Sequence, residues 1–461
     1  MARDCLYSLG TSSGRSQWQL TESGLTVTPD GQNPLAYPLR ELRGIAGDGY
    51  ELRLAIPGPA DSNELLTLSR LGAEGPTLLD TLRRRWMVER ADGLRLGGSG
   101  VGKPFSGVVA GLGASSGPGV AADAVTTGAH PFHALLYEDV MVIALEGRDL
   151  GPIFMALLDD VSFDDVTYTV RAREWLGHDV LFSKLGRQTE EFSKALAANR
   201  ALLAQESAAT LAVNVPSLPT GARTSLAAMW PLGRLLELDA MERACPGFDK
   251  TFSAAWLAAL PRRQEADLLK DRASAGSVRL GCSRFDGEPA GADTASEPAG
   301  QVAATDGSPP ESTATAEPST AADALEPATP DMTGAADGTA LACATPAASA
   351  EGTLLWMLCG KAEHWFLESL SSGDRATYHF KGGPEMVSLV SKLLCAPQFS
   401  REALYLSLDS LVGKRAELSI AAQYLGFLVD LRSRFAGRII HTSHAAWSAG
   451  ISAAVGNQDG G

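Results

Sequence analysis

The sequence predicts an α+β protein: two tandem small antiparallel β units, each closed by a C-terminal helix, then an α+β domain with a long disordered insertion. Two observations point to the repeated unit. Residues 65–72 read LLTLSRLG and residues 179–186 read DVLFSKLG, each following an alternating apolar stretch and preceding a charged amphipathic helix. A strand, strand, helix cadence met twice marks one fold used twice. A third observation supplies the insertion: residues 286–350 hold eleven Asp and Glu and no Lys or Arg.

The first unit spans 12–90. Gln17–Leu20, Gly24–Thr28 and Tyr50–Ile56 alternate as half-buried strands do, with Pro, Gly and Asp between them. Thr77–Trp86 (TLLDTLRRRW) has the helical stripe Leu78, Leu79, Leu82, and Pro76 suits its first turn. Residues 91–129 are Gly-, Ala- and Ser-rich, predicting a loop around one short strand near Phe105–Val109. The second unit spans 130–205. His133–Tyr137, Val140–Leu145, Thr167–Ala172 and Val180–Ser183 read as strands, and Gly147 and Asp164-Asp165 as turns. Thr189 is the expected N-cap of a helix to about Gln205, with Phe192, Leu196 and Leu203 on one face.

Residues 206–455 form the expected C-terminal domain. Leu226–Ala244 and Phe252–Arg272 show helical spacing, cut by Pro231, Pro246 and Pro261. Ser277–Cys282 reads as a strand running into the acidic tract at 284–351. The tract is almost free of aromatic and β-branched apolar residues, so it cannot offset its ordering entropy, and disorder is expected. The chain resumes with strands at Thr353–Cys359, Trp365–Leu370 and Ala376–Lys381, then helices at Pro384–Leu394 and Arg415–Phe435. A strand enters the tract and a strand leaves it, which predicts an insertion within one sheet.

Net charge is −15, and removing the eleven acids of the tract leaves −4 on the rest. Neither portion has the basic footprint that nucleic acid or anionic lipid requires. No apolar run of membrane-spanning length occurs, and six scattered cysteines carry no CxxC pair. A cytoplasmic protein with reduced thiols is the expectation, without membrane insertion.

Four constellations of residues are candidates for chemistry. Gly97, Gly102 and Lys103 match GxxxxGK, but Pro104 stands where a P-loop needs Ser or Thr, and the residues beyond favour no helix. His441 and His444 have an i, i+3 spacing open to a metal, with no third ligand in view. Asp159-Asp160 and Asp164-Asp165 read as solvated turns around a short strand. Arg83-Arg84-Arg85-Trp86 is a basic run with one aromatic, suited to an acidic partner or to a solvated helix face beside an anchoring Trp. No HExxH sequence occurs, and no cofactor is expected.

The repeated cadence in 12–90 and 130–205 resembles pleckstrin-homology-like and GRAM-like small barrels. The resemblance implies binding modules for phosphoinositides, phosphopeptides or proteins. Its lipid-binding members use a basic first hairpin loop, whereas the loops here are Pro29–Pro34 and Glu146–Asp149 with one Arg among acids. A protein partner is therefore expected and a phosphoinositide is not. The expected function is a non-enzymatic scaffold or adaptor. The alternatives are nucleotide binding at Gly97–Lys103, and a small-molecule or enzymatic role in the C-terminal domain, with Trp356, Trp365, Tyr378 and His379 lining a pocket.

Overall fold

Cys5 and Tyr7 are buried on alternate positions of a strand, β1 (Arg3–Leu9), that lies upstream of the boundary read at residue 12. The computed structural model describes residues 3–58, 63–96, 102–111, 128–145, 150–175, 179–248, 250–251, 277–284, 353–369, 376–396, 401–441 and 444–456. It is an α+β fold with three antiparallel sheets. The acidic tract and the 252–272 helix reading lie outside the described residues.

The first sheet adds β2 (Ser12–Leu20), β3 (Gly24–Pro29), β4 (Leu35–Pro38), β5 (Gly44–Gly47), β6 (Glu51–Pro57) and β7 (Asn63–Ser69). Its order is β4-β3-β2-β1-β7-β6-β5, so β1 joins the two halves. The second contains β8 (Lys103–Ala110), β9 (His130–Leu136), β10 (Val140–Leu145), β11 (Leu150–Phe154), β12 (Leu158–Asp164), β13 (Thr169–Glu174) and β14 (Asp179–Ser183). Its order, β11-β10-β9-β8-β14-β13-β12, is the same arrangement strand for strand. The Gly-rich stretch 91–129 thus contributes a central strand, β8, and the second sheet starts at 103, not 130.

Helix α1 (Gly75–Gly93) follows the first sheet and α2 (Thr189–Asn214) the second, the latter nine residues longer than the sequence implied. Each strand reaches its helix by one backbone track. Arg70 and Lys184 take positive φ (61° and 56°), Leu71 and Leu185 are buried, Gly72 and Gly186 again have positive φ (66° and 60°), and a 3-10 turn leads into the helix. The left-handed conformation costs an L-residue about 1 kcal/mol or more, whereas glycine adopts it without a Cβ penalty. The LSRLG and FSKLG letters encode this track. Thr189 is not the N-cap: it is the first helical residue, and its hydroxyl donates back to Gly186 O at 2.8 Å.

The helices are fixed by side chains that satisfy carbonyls at a second 3-10 turn, Leu39–Glu41 between β4 and β5 and Met155–Leu157 between β11 and β12. Trp86 Nε1 donates to Leu42 O at 2.8 Å, and Arg200 Nε donates to Leu158 O at 3.1 Å. Trp86 and Arg200 stand at the same distance past Gly72 and Gly186, and Leu42 and Leu158 each follow their turn directly. Two residues earlier, Arg40 O accepts from Arg90 Nη1 at 2.7 Å, while Ala156 O accepts from Arg234 Nε at 3.0 Å. In the first sheet both donors come from α1; in the second, one comes from the C-terminal region.

That region holds α3 (Thr220–Met229), β15 (Leu236–Glu237), α4 (Leu238–Ala244), β16 (Ser277–Arg284), β17 (Thr353–Lys361), β18 (His364–Ser369), β19 (Ala376–Lys381), α5 (Met386–Cys395), α6 (Glu402–Tyr405), α7 (Leu408–Lys414), α8 (Ala416–Tyr424), α9 (Gly426–Arg434), β20 (Phe435–Ile440) and α10 (His444–Gly456). The sheet runs β15 to β20 in sequence order. β16 and β17 pair along their length, with Arg284 opposite Thr353, so the chain leaves and re-enters the sheet at adjacent strands. The single helix read over Arg415–Phe435 is two helices meeting at Leu425, and Gly437 (φ 152°) falls in an edge strand that the sequence reading missed.

One apolar core joins all three parts. Trp86 and Leu82 of α1, Val140 and Val142 of β10, Trp356 and Tyr378 of the third sheet, and Phe427 and Leu431 of α9 belong to it. The opposite face of β10, Met141 and Ile143, packs with Phe132, Phe182 and Phe192 in a separate core of the second sheet. Burial on both faces explains why VMVIAL is apolar throughout. Helix α1 touches β10 and β11, so the two seven-stranded sheets are in contact. Tyr424 of α8 lies against two guanidinium groups, Arg43 at 4.6 Å and Arg90 at 5.2 Å from its ring centre. Among the described residues no helix is long and apolar enough to cross a membrane.

Two outcomes test this architecture. Because Arg284 and Thr353 are directly opposed, replacing residues 285–352 with Asn-Gly gives a two-residue hairpin. Shortening the connection by roughly five doublings removes about 3 kcal/mol of closure entropy, so the melting temperature should hold or rise; a collapsed, non-cooperative melt would refute the pairing. Arg234→Met leaves the Ala156 carbonyl without its donor and Asp159 without its cation, and should destabilise the fold by about 2 kcal/mol or more, read by urea unfolding. Arg243→Met, at an exposed site on α4, should change stability by less than about 0.5 kcal/mol.

Candidate functional site

The densest group of titratable side chains lies on one face of the third sheet. Alternation along β18 and β19 brings His364, Phe366, Glu368, Thr377 and His379 to the same side, because Phe366 opposes His379 and Glu368 opposes Thr377. His364 Nδ1 and His379 Nε2 are hydrogen-bonded at 2.9 Å, and their rings stack with Phe366. Burial, then the neighbouring His364 and Lys381, lowers the His379 pKa to about 4, so its imidazole is neutral at pH 7. Beside them Glu368 Oε1 lies 3.0 Å from His441 Nε2, and the Thr377 hydroxyl is 3.1 Å from Glu368 Oε2 and 3.2 Å from the same His441 nitrogen.

This group is closed and its geometry does not suit a relay. A nucleophile–base–acid chain needs the hydroxyl on one imidazole nitrogen and the carboxylate on the other. Here both meet Nε2. Thr377 and Glu368 are 0% and 1% exposed, which leaves no path for a substrate. Nearby Cys359 is fully buried, and burial followed by the Glu368 charge pushes its thiol up to about 12, so no thiolate nucleophile forms there at neutral pH. The five described cysteines are all free thiols.

The residues singled out from sequence fall in different places. His441 faces Glu368 and Thr377, and the side chain of His444 lies outside the described residues, as does Gly97. Among the described residues no group of three or more His, Cys, Asp or Glu could hold a metal ion. Lys103 opens β8, where a P-loop requires the start of a helix, and Gly102 packs under Tyr137 and Leu135. Trp356, Trp365 and Tyr378 point into the shared core, while His379 points to the opposite face, so the four line no common pocket. Asp164 does serve a turn, accepting from Val166 N and Thr167 N. Asp159 does not: its Oδ1 accepts from the buried Arg234 Nη1 at 2.6 Å, a contact across 75 residues that no local pattern announces.

The open concavities lie elsewhere. Two surface hollows, of about 280 and 780 Å³, run along the first halves of α1 and α2. Pro76, Thr77, Asp80, Thr81 and Arg84 line the first; Glu190, Glu191, Lys194, Ala195 and Ala198 line the second. Counted from Gly72 and Gly186, these are the same five positions. Lys103, Tyr168 and Arg187 complete the second hollow. Each sheet also exposes a tyrosine immediately before its sixth strand, Tyr50 (73% exposed) and Tyr168 (61%). The basic run is divided by this arrangement: Trp86 is the buried latch, Arg84 lines the hollow, and Arg85 donates to Glu22 O at 2.6 Å.

The His379 environment sets a pH response. Above the ordinary histidine pKa of 6.5 neither state is protonated. As pH falls below 6.5 the unfolded chain takes up a proton that the folded chain refuses until about pH 4, so stability is lost across that window. Urea unfolding measured from pH 7 to 4 should show this loss, and His379→Gln should reduce its slope; equal slopes would remove His379 as the cause. No family model matches the chain, and a search of curated proteins found no match, so the functional reading rests on geometry and sequence.

Proposed function

We propose that the chain is a non-enzymatic protein-interaction scaffold built on two tandem pleckstrin-homology-like modules, each a seven-stranded sheet with its C-terminal helix. The observation that carries this reading is the recurrence of one arrangement: strand order, left-handed exit track, helix latch and helix-side hollow all return at matching positions. What does not recur is any reactive group. Lys194 and Ala198 stand where the first module has Asp80 and Arg84, so what repeats is not a set of catalytic side chains.

The titratable residues of the third sheet support the same reading, because they are buried and lie against one another. Arg234 and the Tyr424–Arg43–Arg90 stack tie the modules to the third sheet, which favours a rigid body presenting fixed surfaces. The third sheet then acts as a brace. The partner is protein: the turn between β1 and β2 is Gly10-Thr11, and the sequence joining β8 to β9 holds no Lys or Arg, so neither supplies the basic cluster a phosphoinositide needs.

Capture with the intact chain as bait, paired with a metabolite screen by thermal shift, tests this. A stoichiometric protein partner is expected, with no small molecule raising the melting temperature. A ligand at a hundred times its Kd adds about 2.7 kcal/mol, several degrees in a domain of this kind. Such a shift with no protein retained would replace the scaffold reading by a small-molecule one.

A further inference from the structure

The two helix-side hollows share position and shape, and they also share a charge imbalance. Arg84, Arg85 and Asp80 are the charged residues lining the first; Lys103, Arg187, Lys194, Glu190 and Glu191 are those lining the second. Each hollow therefore carries one net positive charge, on a chain whose total is −15. Within the second, Lys194 is paired with Glu190 at 3.1 Å. Arg84, Lys103 and Arg187 have no ion-pair partner among the described residues and stand on exposed helix, strand or turn positions. Unpaired cations at a concave surface are an electrostatic invitation that the protein itself leaves unanswered.

Apolar surface flanks the same places. Tyr168 lines the second hollow, edge-on to Phe163 at 6.1 Å, and Val166 two residues earlier is 86% exposed. In the first module the turn bearing Tyr50 abuts the hollow's rim: a Cβ built on Gly49 would fall within 3.0 Å of Pro76, one of the lining residues. Farther along each helix, Val88 and Leu202 are exposed at another matching pair of positions. An aromatic at one end, an aliphatic side chain along the helix and free cations between them match a peptide with acidic residues beside apolar anchors.

We propose that the two hollows are a duplicated docking site for acidic peptide segments of a partner protein, with Lys103 and Arg187 in the second module and Arg84 in the first contacting its carboxylates; this deepens the scaffold reading above and rests on it. Tyr168 and Tyr50 receive the peptide's apolar side chains. Duplication allows one partner with two acidic segments to engage both modules, and the second contact then forms at the high local concentration set by the first.

The probe is a fluorescein-labelled twelve-residue peptide alternating Glu and Phe, compared with its Gln and Lys counterparts by fluorescence anisotropy on the full chain. The Glu peptide should bind and the other two should not, and affinity should fall several-fold between 50 and 200 mM salt. Lys103→Glu with Arg187→Glu should weaken binding about tenfold, and adding Arg84→Glu should abolish it. Arg15→Glu, an exposed cation on β2 away from both hollows, should leave binding unchanged. Melting curves of every variant exclude unfolding as the cause. Equal binding of the Glu and Gln peptides, or binding that survives all three reversals, overturns the proposal. If the triple variant still retains the partner captured by the intact chain, the scaffold reading stands and the hollows are not its site.

Discussion

The carbonyl groups left open where a 3-10 turn ends between the fourth and fifth strands of each seven-stranded sheet constrain everything else in this protein. A turn of that kind exposes acceptors that no strand partner can reach, and burying them unpaired would cost about 1–3 kcal/mol each. The chain answers with rigid donors: Trp86 and Arg90 in the first sheet, Arg200 and Arg234 in the second. Because the donors sit on elements with large apolar faces, satisfying the turn also sets where those elements lie. Helix α1 is oriented against its sheet by the same contacts that bury Leu78 and Leu82.

The exchange of Arg90 for Arg234 has a structural consequence. In the first sheet the turn is satisfied from within, so that unit closes on itself. In the second, α2 has Ala204 where α1 has Arg90, and the Ala156 carbonyl must be reached from outside. Arg234 does this while binding Leu158 O and Asp159 and lying 5.6 Å from the Trp175 ring centre. Burial lowers its pKa, and the Asp159 carboxylate opposes that shift. A buried guanidinium is costly without partners, so the second sheet and the C-terminal region become interdependent. A second tie has the same character: Arg284, the last residue of β16, bonds Asp139 Oδ2 at 2.9 Å and also pairs with Glu206 of α2.

How far the sequence revealed this depended on whether a feature was local. The LSRLG and FSKLG segments marked the repeated exit because strand end, left-handed residue, buried leucine and glycine are all set by neighbouring positions. The pairing of β16 with β17 could be anticipated from two apolar runs flanking a tract that cannot fold. By contrast, β1 was missed because RDCLYSL alternates over only three inward positions, and it becomes recognisable as a strand when β2 and β7 flank it. β20 was missed because the helical spacing of α9 runs up to it without a break. Asp159 read as a solvated turn because its partner is 75 residues distant. The candidate site divided in the same way. Arg83–Trp86 was visible as a basic run, but its division into latch and hollow follows from helix packing. The hollows have no sequence signature, since only their positions repeat.

Their positions repeat because the latch repeats. Fixing Trp86 or Arg200 to the turn leaves the opposite side of each helix facing outward, and the strand exit before it sets where the helix begins. The hollows lie along the first halves of the helices so placed. The lining residues differ between the two: Lys194 stands where α1 has Asp80, and Ala198 where it has Arg84. Cations nevertheless line both hollows, supplied in the second by β8 and the exit turn as well as by α2. The same net charge supplied by different elements is the complement that the proposed acidic ligand requires.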